Sequence, residues 1–573
     1  MSEKIKIDKV RASRAGHTFH ERWAARRALQ LIFPSDNLHA IAIEGIPKTE
    51  QASMSDEADD VADLILYYGD GDSFETCSKL ETLQFKYKTT DNVATASYLK
   101  KTLQKFANSI LDYERASDLK SVNDKVTFSF VTNSEFAPHL WEAISCLKTN
   151  TIPQETKALA QFESLKSWCE ERHVNANRLF SLTSFQANTA DLDSQNRTLR
   201  RTLSNWSSGV DAQARVRLYA LCELVREKAG EQGQKNNLLK KEDILDALEC
   251  EPEDLFPADT RFLKVEEVIE RKALTDFSGR LSVSQKPLLI YADGGVGKTV
   301  FIQSLASYLS EKYETVVFDC FGGGAYRSDD QARHLPKIGL IQIVNELASR
   351  GLCDPLLPTD SDRYGMIKSA RRRFEQASAT ITEQSQKDGL LIIIDAADNA
   401  QLEAINRNED AFPKLLLSSL SNEMIDGVKL VFTARPHRKD EVIGRSQVEE
   451  FPLAPFCLEE TKAFLETRRK NLSEVEIATA SARSRGNARV LEYLVESWDK
   501  NVIQNQTNSE IKVEELIEQK CLKIFRDLHV LGWKDSEITE FFTAISLLPP
   551  PYTIKRISKS SWLVCCTSKQ CCV

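Results

Sequence analysis

Residues 287–299 read PLLIYADGGVGKT, an apolar run followed by a glycine-rich loop that ends in Lys298 and Thr299. The next residues, VFIQSLASYL, are apolar at helical spacing. A strand, a glycine-rich loop and a helix in this order are typical of a phosphate-binding loop, or P-loop. Ala292 stands where such loops usually have their first glycine. The segment predicts an α/β domain that binds a nucleoside triphosphate.

Each part of this loop has a chemical role in binding ATP with Mg²⁺. Lys298 is expected to reach the β- and γ-phosphates, and Thr299 offers a hydroxyl to Mg²⁺. The helix that follows adds the positive end of its dipole. Backbone N–H groups are expected to turn inward around the β-phosphate, and the residues that contribute them are Gly294, Gly295, Val296 and Gly297.

Two further apolar runs complete the predicted nucleotide site. The run LLIIIDAAD delivers Asp395 to the end of a strand, where it can hold Mg²⁺ through water, and Asp398 can position the attacking water. The alternatives are a strand-end cap for Asp395 and a purely structural Asp398. The run VKLVFTARP ends in Arg435, which either senses the γ-phosphate or is an ordinary surface residue. In the later segment RGNAR, Asn487 or Arg489 either closes over the nucleotide or caps a helix.

The block before the nucleotide domain has the order helix, three strands, helix, strand. The helical patterns cover residues 17–31 and 95–113, and residues 155–250 also appear mostly helical. The polar stretch GEQGQKNN at 230–237 has the composition of a linker, and residues 251–259 form a second soft boundary. Strands are predicted at Ala40–Glu44, Val61–Tyr68, Leu80–Tyr87 and Lys125–Thr132, and in the nucleotide domain at Pro287–Ala292, Thr315–Asp319, Leu390–Asp395 and Lys429–Ala434.

Three polar residues on the N-terminal strands suggest phosphodiester hydrolysis. Asp63 lies in the predicted apolar strand VADLILYY, and Gln84 and Lys86 are two apart on another strand, so they share one face. A carboxylate and a carbonyl oxygen can hold Mg²⁺ or Mn²⁺, while a lysine stabilises the attacking hydroxide. Asp63 and Gln84 are therefore the expected metal ligands, with Glu44 as a further ligand or a structural residue. Asp63 and Lys86 can alternatively be solvent-facing strand residues, and Asp60 is a rival ligand.

The first predicted helix carries charged residues with open roles. Glu21 is a weaker ligand candidate, and His17 and His20 are interpreted as packing residues or DNA-backbone contacts rather than zinc ligands. Five arginines either follow a DNA phosphate backbone or form an ordinary solvated face; they are Arg11, Arg14, Arg22, Arg26 and Arg27.

These motifs resemble two known families. The loop, the LLIIIDAAD and LVFTARP strands, the VFDCFGGGAYR segment and the SRGNARVLEYL helix resemble STAND NTPases, and the antiviral Avs (AVAST) type in particular, over roughly residues 265–500. The series GHTFHERWAARRAL, IEG, ADLILYYG and QFKY resembles Mrr-like nuclease domains of the restriction-endonuclease fold, in a variant with Gln84 where many relatives carry an acid. The resemblance implies an anti-phage protein in which an ATP-dependent oligomerisation switch activates metal-dependent cleavage of double-stranded DNA.

The resemblance also implies partners and an architecture. A homo-oligomer, for example a tetramer, is expected in the active state, triggered by a phage protein or through a separate sensor subunit. The predicted α/β multidomain chain comprises a nuclease domain at 1–150, a helical extension and linker at 151–262, and a STAND domain with a parallel sheet at 263–455. A helical region follows at 456–573, for which a winged helix is one candidate fold, and it ends in an irregular tail that contains cysteines. One alternative is a STAND regulator that binds nucleic acid without cutting it. The least favoured is a nucleic-acid-stimulated ATPase.

Composition restricts the protein class. At about 150 residues per domain, 573 residues predict three or four domains. The chain is 42% apolar and 28% charged, which excludes a disordered, collagenous or disulfide-scaffold protein. No apolar run reaches the roughly 20 residues of a membrane span, and the charged N-terminus does not resemble a signal peptide. A cytoplasmic protein without membrane contact is therefore expected.

Overall fold

The structure is a computed structural model that describes residues 3–47, 62–89, 93–262, 265, 267–496 and 513–547. The chain divides into two compact units, here called unit 1 (Met1–Asp254 with Ser349–Gly351) and unit 2 (Leu255–Ala348 with Leu352–Val573). Their division falls inside the soft boundary expected at 251–259. The C-terminal cysteines from position 565 onward lie outside the described residues.

Unit 1 begins with one long helix and then forms a mixed sheet covered by helices. The helix Glu3–Ala28 extends the predicted 17–31 helix toward the N-terminus and continues as a 3₁₀ turn at Leu29–Leu31. The helices up to the unit boundary are α1 (Glu3–Ala28), α2 (Ala96–Ala116), α3 (Leu119–Lys125), α4 (Pro138–Thr149), α5 (Thr156–Glu170), α6 (Ala176–Ser181), α7 (Leu192–Trp206), α8 (Asp211–Ala229), α9 (Lys241–Ala247) and α10 (Pro252–Leu255).

Six strands form the sheet of unit 1, in the order β5-β4-β3-β2-β1-β6. The first three strands pair antiparallel, and β3, β4 and β5 pair parallel. The predicted order of helix, three strands, helix, strand is therefore present, with the short α3 inserted before β4. The strands are β1 (Leu38–Ile43), β2 (Leu64–Tyr68), β3 (Lys79–Lys86), β4 (Val126–Thr132), β5 (Thr183–Gln186) and β6 (Leu238–Leu239).

The range 151–262, expected to be a helical extension, also contributes both edge strands of this sheet. β5 pairs with β4, and β6 pairs with β1. The stretch 230–237 is not a linker between domains, because Asn237 is buried and its side-chain Nδ2 donates to Ile43 O at 3.0 Å and to Gly45 O at 3.2 Å. A polar composition is compatible with burial here because these hydrogen bonds satisfy the amide.

The apolar core of unit 1 lies between the sheet and the helices that cover it. Phe106 on α2 packs on Phe128 of β4 with ring centroids 4.7 Å apart, and both side chains are fully buried. Local signals fix the helix starts: Asp118 caps α3 by accepting from two backbone N–H groups, and Asp191 caps α7 in the same way through one.

Unit 2 contains a five-stranded parallel sheet in the order β11-β7-β10-β9-β8. The predicted parallel sheet is confirmed, and β9 is buried along its whole length, as a sheet covered on both faces requires. β11 was not predicted from the sequence, because its residues EEFP contain two glutamates and a proline and do not form an apolar run. The strands are β7 (Leu288–Tyr291), β8 (Tyr313–Asp319), β9 (Gly389–Asp395), β10 (Val428–Ala434) and β11 (Glu449–Pro452).

The helices of unit 2 flank this sheet and then continue alone as a helical segment. They are α11 (Lys272–Val283), α12 (Lys298–Tyr308), α13 (Pro336–Ser349), α14 (Arg363–Gln384), α15 (Ala397–Arg407), α16 (Phe412–Asn422), α17 (Lys439–Ile443), α18 (Leu458–Arg468), α19 (Glu474–Ser484), α20 (Ala488–Glu496), α21 (Val513–Val530) and α22 (Asp535–Leu547). Among the helices described, none combines the length and apolar character that a membrane crossing requires.

Candidate functional site

The glycine-rich loop joins β7 to α12, as the sequence predicts for a P-loop. Gly295 has φ +83° and Gly297 has φ +96°, a left-handed conformation that glycine adopts without a steric cost. Gly297 is the N-cap of α12, so Lys298 and Thr299 open the helix. Gly294 and Val296 complete the turn, and Val296 packs into the core of unit 2.

Lys298 is held above the loop. Its Nζ donates to Ala292 O at 2.6 Å and to Asp293 O at 3.1 Å. Burial lowers the pKa of Lys298, an effect that the carboxylates of Asp398 and Asp395 oppose. A cation kept partly out of water beside this glycine-rich loop is suited to a phosphate group.

Asp395 links the P-loop to the neighbouring strands. Its Oδ2 accepts from the Thr299 hydroxyl at 2.8 Å, and its Oδ1 accepts from the Thr433 hydroxyl at 2.5 Å. Because β10 lies between β7 and β9, Thr433 reaches Asp395 from the strand in the middle. Burial raises the pKa of Asp395, and these two hydrogen bonds oppose the rise. The predicted pair of Mg²⁺-associated groups, Thr299 and Asp395, is therefore in direct contact.

Asp398 and Arg435 also converge, with a second arginine that the sequence did not single out. Asp398 Oδ2 lies 3.8 Å from Arg435 Nε and 3.9 Å from Arg438 Nη1. Asp398 is only 2% exposed, and within the described part of the chain its Oδ2 has no hydrogen-bond partner. Burying an oxygen without a hydrogen bond costs free energy. Asp398 Oδ2 is suited to accept a hydrogen bond from a water near the phosphates.

Asn487 caps a helix, one of the two roles that the sequence left open, and it also contacts the P-loop. Its Nδ2 donates to Gly294 O at 2.9 Å, and Arg489 N donates to Gly295 O at 3.1 Å. Its Oδ1 also accepts from Arg489 N and Val490 N, so the same side chain caps α20. The start of α20 is therefore fastened to the P-loop.

In unit 1, three candidate residues lie at neighbouring positions across three strands. Asp63 immediately precedes β2 rather than lying within it, and the β2–β3 register places it opposite Gln84. Glu44 follows β1, and its backbone N donates to Asp63 O at 3.0 Å. The sheet thus brings Glu44, Asp63 and Gln84 to one place, while the rival Asp60 lies outside the described residues.

The carboxylate of Asp63 is buried and already held in position. Its Oδ2 accepts from Gln84 Nε2 at 2.6 Å and from Phe85 N at 2.5 Å. Burial raises the pKa of Asp63, whereas nearby His20 and the Phe85 N–H lower it. Gln84 Oε1 is buried and has no hydrogen-bond partner among the described residues. A carboxylate and an unsatisfied carbonyl oxygen side by side fit a hard divalent cation.

Lys86 does not reach this carboxylate. Its Nζ donates to Tyr98 O at 2.5 Å and lies 4.8 Å from the centre of the Tyr98 ring. Burial, followed by the charges of Lys101, Lys105 and Lys88, lowers the pKa of Lys86 to about 8. The lysine is thus part of a basic group next to Asp63, which is the electrostatic setting that a phosphate backbone requires.

Glu44 adopts a strained backbone conformation, with φ +49°. This left-handed region is unfavourable for a residue with a Cβ, and such residues cluster at functional sites. Gly45 follows with φ +105°, and Asn237 holds this turn through the two hydrogen bonds given above.

His20, which the sequence interpretation assigned to packing or a DNA-backbone contact, lies beside Asp63. Its Nδ1 lies 3.8 Å from Asp63 Oδ2, and the two residues line a small pocket together with Glu44 and Glu21. Burial lowers the pKa of His20, which favours the neutral, ligand-competent imidazole. Glu21 is instead paired with Arg226, which donates to both of its carboxylate oxygens at 3.3 Å. The contact between His20 on α1 and Asp63 beside β2 joins residues far apart in sequence, so local residue spacing does not predict it.

Arg22, Arg26 and Arg27, which were expected on a phosphate-tracking or solvated face, have internal partners. Arg22 Nε donates to Asn196 Oδ1 and Arg26 Nη1 to Gln195 Oε1, both at 2.5 Å, so they fasten α1 to α7. Arg27 Nη2 donates to the Tyr68 hydroxyl at 2.9 Å. Arg11 and Arg14 are exposed. The helix face is thus mainly structural, because long charged side chains can bridge elements while staying half-solvated.

Comparison with known proteins bears on unit 2. The sequence model of the family described as "Nephrocystin 3, N-terminal" matches residues 266–435, a segment that contains the P-loop, Asp395 and Arg435. Comparison with curated proteins gives no significant match.

Two solved structures with partial similarity are described as ATPases. One is a Walker-type ATPase of Pyrococcus abyssi, with 13% identity, 53% of this chain and 90% of that chain covered, and a TM-score of 0.32. Another is a STAND protein with a tetratricopeptide-repeat sensor from Pyrococcus horikoshii. The two sequences are 17% identical, the match covers 54% of this chain and 40% of that chain, and the TM-score is 0.31. This chain thus spans less than half of the second protein. These TM-scores are too low to establish a common overall fold.

Proposed function

We propose that this protein is an ATP-dependent anti-phage switch, in which STAND-type assembly of unit 2 activates cleavage of double-stranded DNA by unit 1. The observation that carries the proposal is the arrangement of Asp63, Gln84 and Glu44 at one end of three strands. The resemblance of both motif sets to antiviral proteins supplies the biological setting. The trigger, a phage protein or a sensor subunit, belongs to the same proposal.

The nucleotide site supports the switch. Lys298 and the loop N–H groups bind the phosphates, and Thr299 and Asp395 are placed to hold Mg²⁺. Asp398 orients the attacking water, with Arg435 and Arg438 beside it. Because Asn487 and Arg489 contact Gly294 and Gly295, a change in the loop on ATP binding is transmitted directly to α20.

The N-terminal site supports phosphodiester hydrolysis. A divalent cation bound there would activate water and stabilise negative charge on the phosphate. Asp63, preorganised by the Phe85 N–H, and the unsatisfied Gln84 Oε1 are the groups that fit such a cation. The lysines around position 86 attract the DNA backbone, and a move of Lys86 Nζ away from Tyr98 O brings its charge to the scissile phosphate.

The position of Lys86 also favours a second candidate. The bond from Lys86 Nζ to Tyr98 O, rather than to Asp63, supports a unit 1 that binds DNA without cutting it. In that case the protein is a STAND regulator that binds nucleic acid.

Plasmid cleavage distinguishes the two candidates. The purified protein is incubated with plasmid, ATP and either Mg²⁺ or Mn²⁺, with and without lysate of phage-infected cells. The proposal predicts cleavage that requires ATP and the infected lysate, together with a rise in molar mass by light scattering. Binding of DNA in gel shifts without cleavage in either metal would favour the regulator, and a constant monomer that still cuts DNA would refute assembly as the switch.

A further inference from the structure

His20 joins Asp63 and Glu44 in a group of metal-ligating side chains. One ligand atom from each of the three lies within 4.8 Å of the other two, and the shortest separation between His20 Nδ1 and Asp63 Oδ2 is 3.8 Å. Ligands on opposite sides of a cation with bonds of about 2.1 Å are about 4.2 Å apart. Only one pair among three ligands can lie on opposite sides, and ligands at right angles are about 3.0 Å apart. The three side chains must therefore move together by roughly an ångström or more to enter the coordination sphere of one ion.

A second, independent observation points to a ligand at this place. Gln84 is 9% exposed, and its Oε1 has no hydrogen-bond partner in the described part of the chain. The other atom of the same amide, Nε2, donates to Asp63 Oδ2, so the unsatisfied oxygen belongs to a side chain already fixed against the cluster. A buried carbonyl oxygen without a donor is the electrostatic complement of a cation.

The imidazole of His20 is fixed by packing. Its ring lies 5.4 Å from the ring of Phe85, whose backbone N donates to the same Asp63 oxygen that faces His20. Arg22 and Arg26, both on the C-terminal side of His20, fasten α1 to α7. The helix therefore presents His20 to the sheet in a set position, as a preorganised ligand requires.

We propose that His20 is a nitrogen ligand of the divalent cation of unit 1, with Asp63, Glu44 and the carbonyl of Gln84 as oxygen ligands, and that the site therefore selects Mn²⁺ over Mg²⁺. Imidazole nitrogen is a softer ligand than carboxylate oxygen, and Mg²⁺ strongly prefers all-oxygen coordination. The inference deepens the proposed nuclease function and rests on it for its biological meaning.

The test measures the metal directly. Mn²⁺ is added to the nucleotide-free full chain, and pulsed electron paramagnetic resonance detects nitrogen-14 coupled to the ion. His20→Phe removes the ligand but keeps an aromatic ring against Phe85. His17→Phe is the comparison variant, because His17 lies one turn earlier on the same helix and also lines this pocket, so it is the other imidazole that could give the coupling. Asp63→Asn identifies signal from this site, and thermal unfolding verifies that each variant is folded.

The expected result is a nitrogen-14 coupling in the wild type and in His17→Phe that disappears in His20→Phe. The affinity for Mn²⁺ should fall about tenfold or more in His20→Phe, and the preference for Mn²⁺ over Mg²⁺ should shrink. An unchanged coupling in folded His20→Phe, or no Mn²⁺ bound by the wild type, overturns the inference. If His20→Phe does not fold, His20→Gln replaces it, because glutamine has no imidazole nitrogen.

The metal-ligand assignment and the proposed nuclease function can be refuted independently of each other. If Mn²⁺ binds through His20 but the triggered protein never cuts DNA, the metal site stands and the nuclease does not. If DNA is cut in a reaction that needs Asp63 while His20→Phe leaves the nitrogen-14 coupling unchanged, the nuclease stands and the ligand assignment is wrong.

Discussion

Gln84 lies opposite Asp63 across the β2–β3 pair, and its Nε2 donates to Asp63 Oδ2 at 2.6 Å. The amide thereby orients the carboxylate with one end and leaves Oε1 at the other end without a partner among the described residues. A glutamate at this position would set two buried carboxylates side by side, and their repulsion would raise the pKa of one of them. Glutamine provides an oxygen ligand without that repulsion.

Replacing Lys298 tests the nucleotide site. Lys298→Ala removes the cation placed above the loop, so ATP binding measured by calorimetry should fall below detection. Lys462→Ala is the matched control, because this lysine is exposed and pairs with the exposed Glu474. Equal ATP affinity of Lys298→Ala and wild type would contradict the assignment of the P-loop.

Thr433 should matter for both stability and catalysis. Thr433→Val keeps the side-chain shape but removes the hydroxyl that donates to Asp395 Oδ1 and accepts from Ala396 N at 2.7 Å. Leaving these buried groups unpaired should lower the free energy of unfolding by about 1–3 kcal/mol. Urea denaturation measures the loss, and ATP turnover should fall as well. Thr380→Val, on the surface of α14, is the control and should leave both unchanged.

The strain at Glu44 predicts a difference between two substitutions. Glu44→Gly and Glu44→Ala both remove the carboxylate, but only glycine relieves the left-handed φ of +49°. Glu44→Gly should therefore be more stable than Glu44→Ala by about 1 kcal/mol, and both should bind the metal more weakly than wild type. Equal stabilities in denaturant titrations would show that the turn adopts another conformation in solution.

Much of the fold was predictable because the relevant signals are local. The apolar runs that became β7, β8, β9 and β10 agree with the predicted strands within a few residues, since strands buried on both faces are continuously apolar. β5, β6 and β11 were missed. They are short edge strands whose pairing depends on partners distant in sequence, which a periodicity cannot reveal.

The candidate site was predictable only in part, for a related reason. Strand alternation places Gln84 and Lys86 on one face, but it does not determine where a long lysine side chain ends, and Lys86 contacts Tyr98 instead of Asp63. His20 and Arg438 reach their carboxylates from other elements. Such contacts between elements arise from tertiary packing, so a spacing rule does not detect them.

The described cysteines should differ sharply in reactivity. Burial raises the pKa of Cys169, Cys250 and Cys353 to about 12 for each thiol, so little thiolate forms at pH 8. Cys457 and Cys521 are exposed. Brief treatment with iodoacetamide followed by peptide mapping should find label on the exposed pair and little on the buried three. Rapid labelling of Cys169 in the folded protein would show that the core of unit 1 opens readily.

The most direct test of the central claim, a metal-dependent nuclease centre at Asp63, is plasmid cleavage by the triggered protein with Asp63→Asn against the wild type. Asparagine keeps the size of the side chain but lacks the negative charge that holds the cation. The rate of Asp63→Asn should be at least about 10²-fold lower, with ATP binding and assembly unchanged and Mn²⁺ supporting the wild-type reaction. Cleavage by folded Asp63→Asn at the wild-type rate would show that the active site is elsewhere.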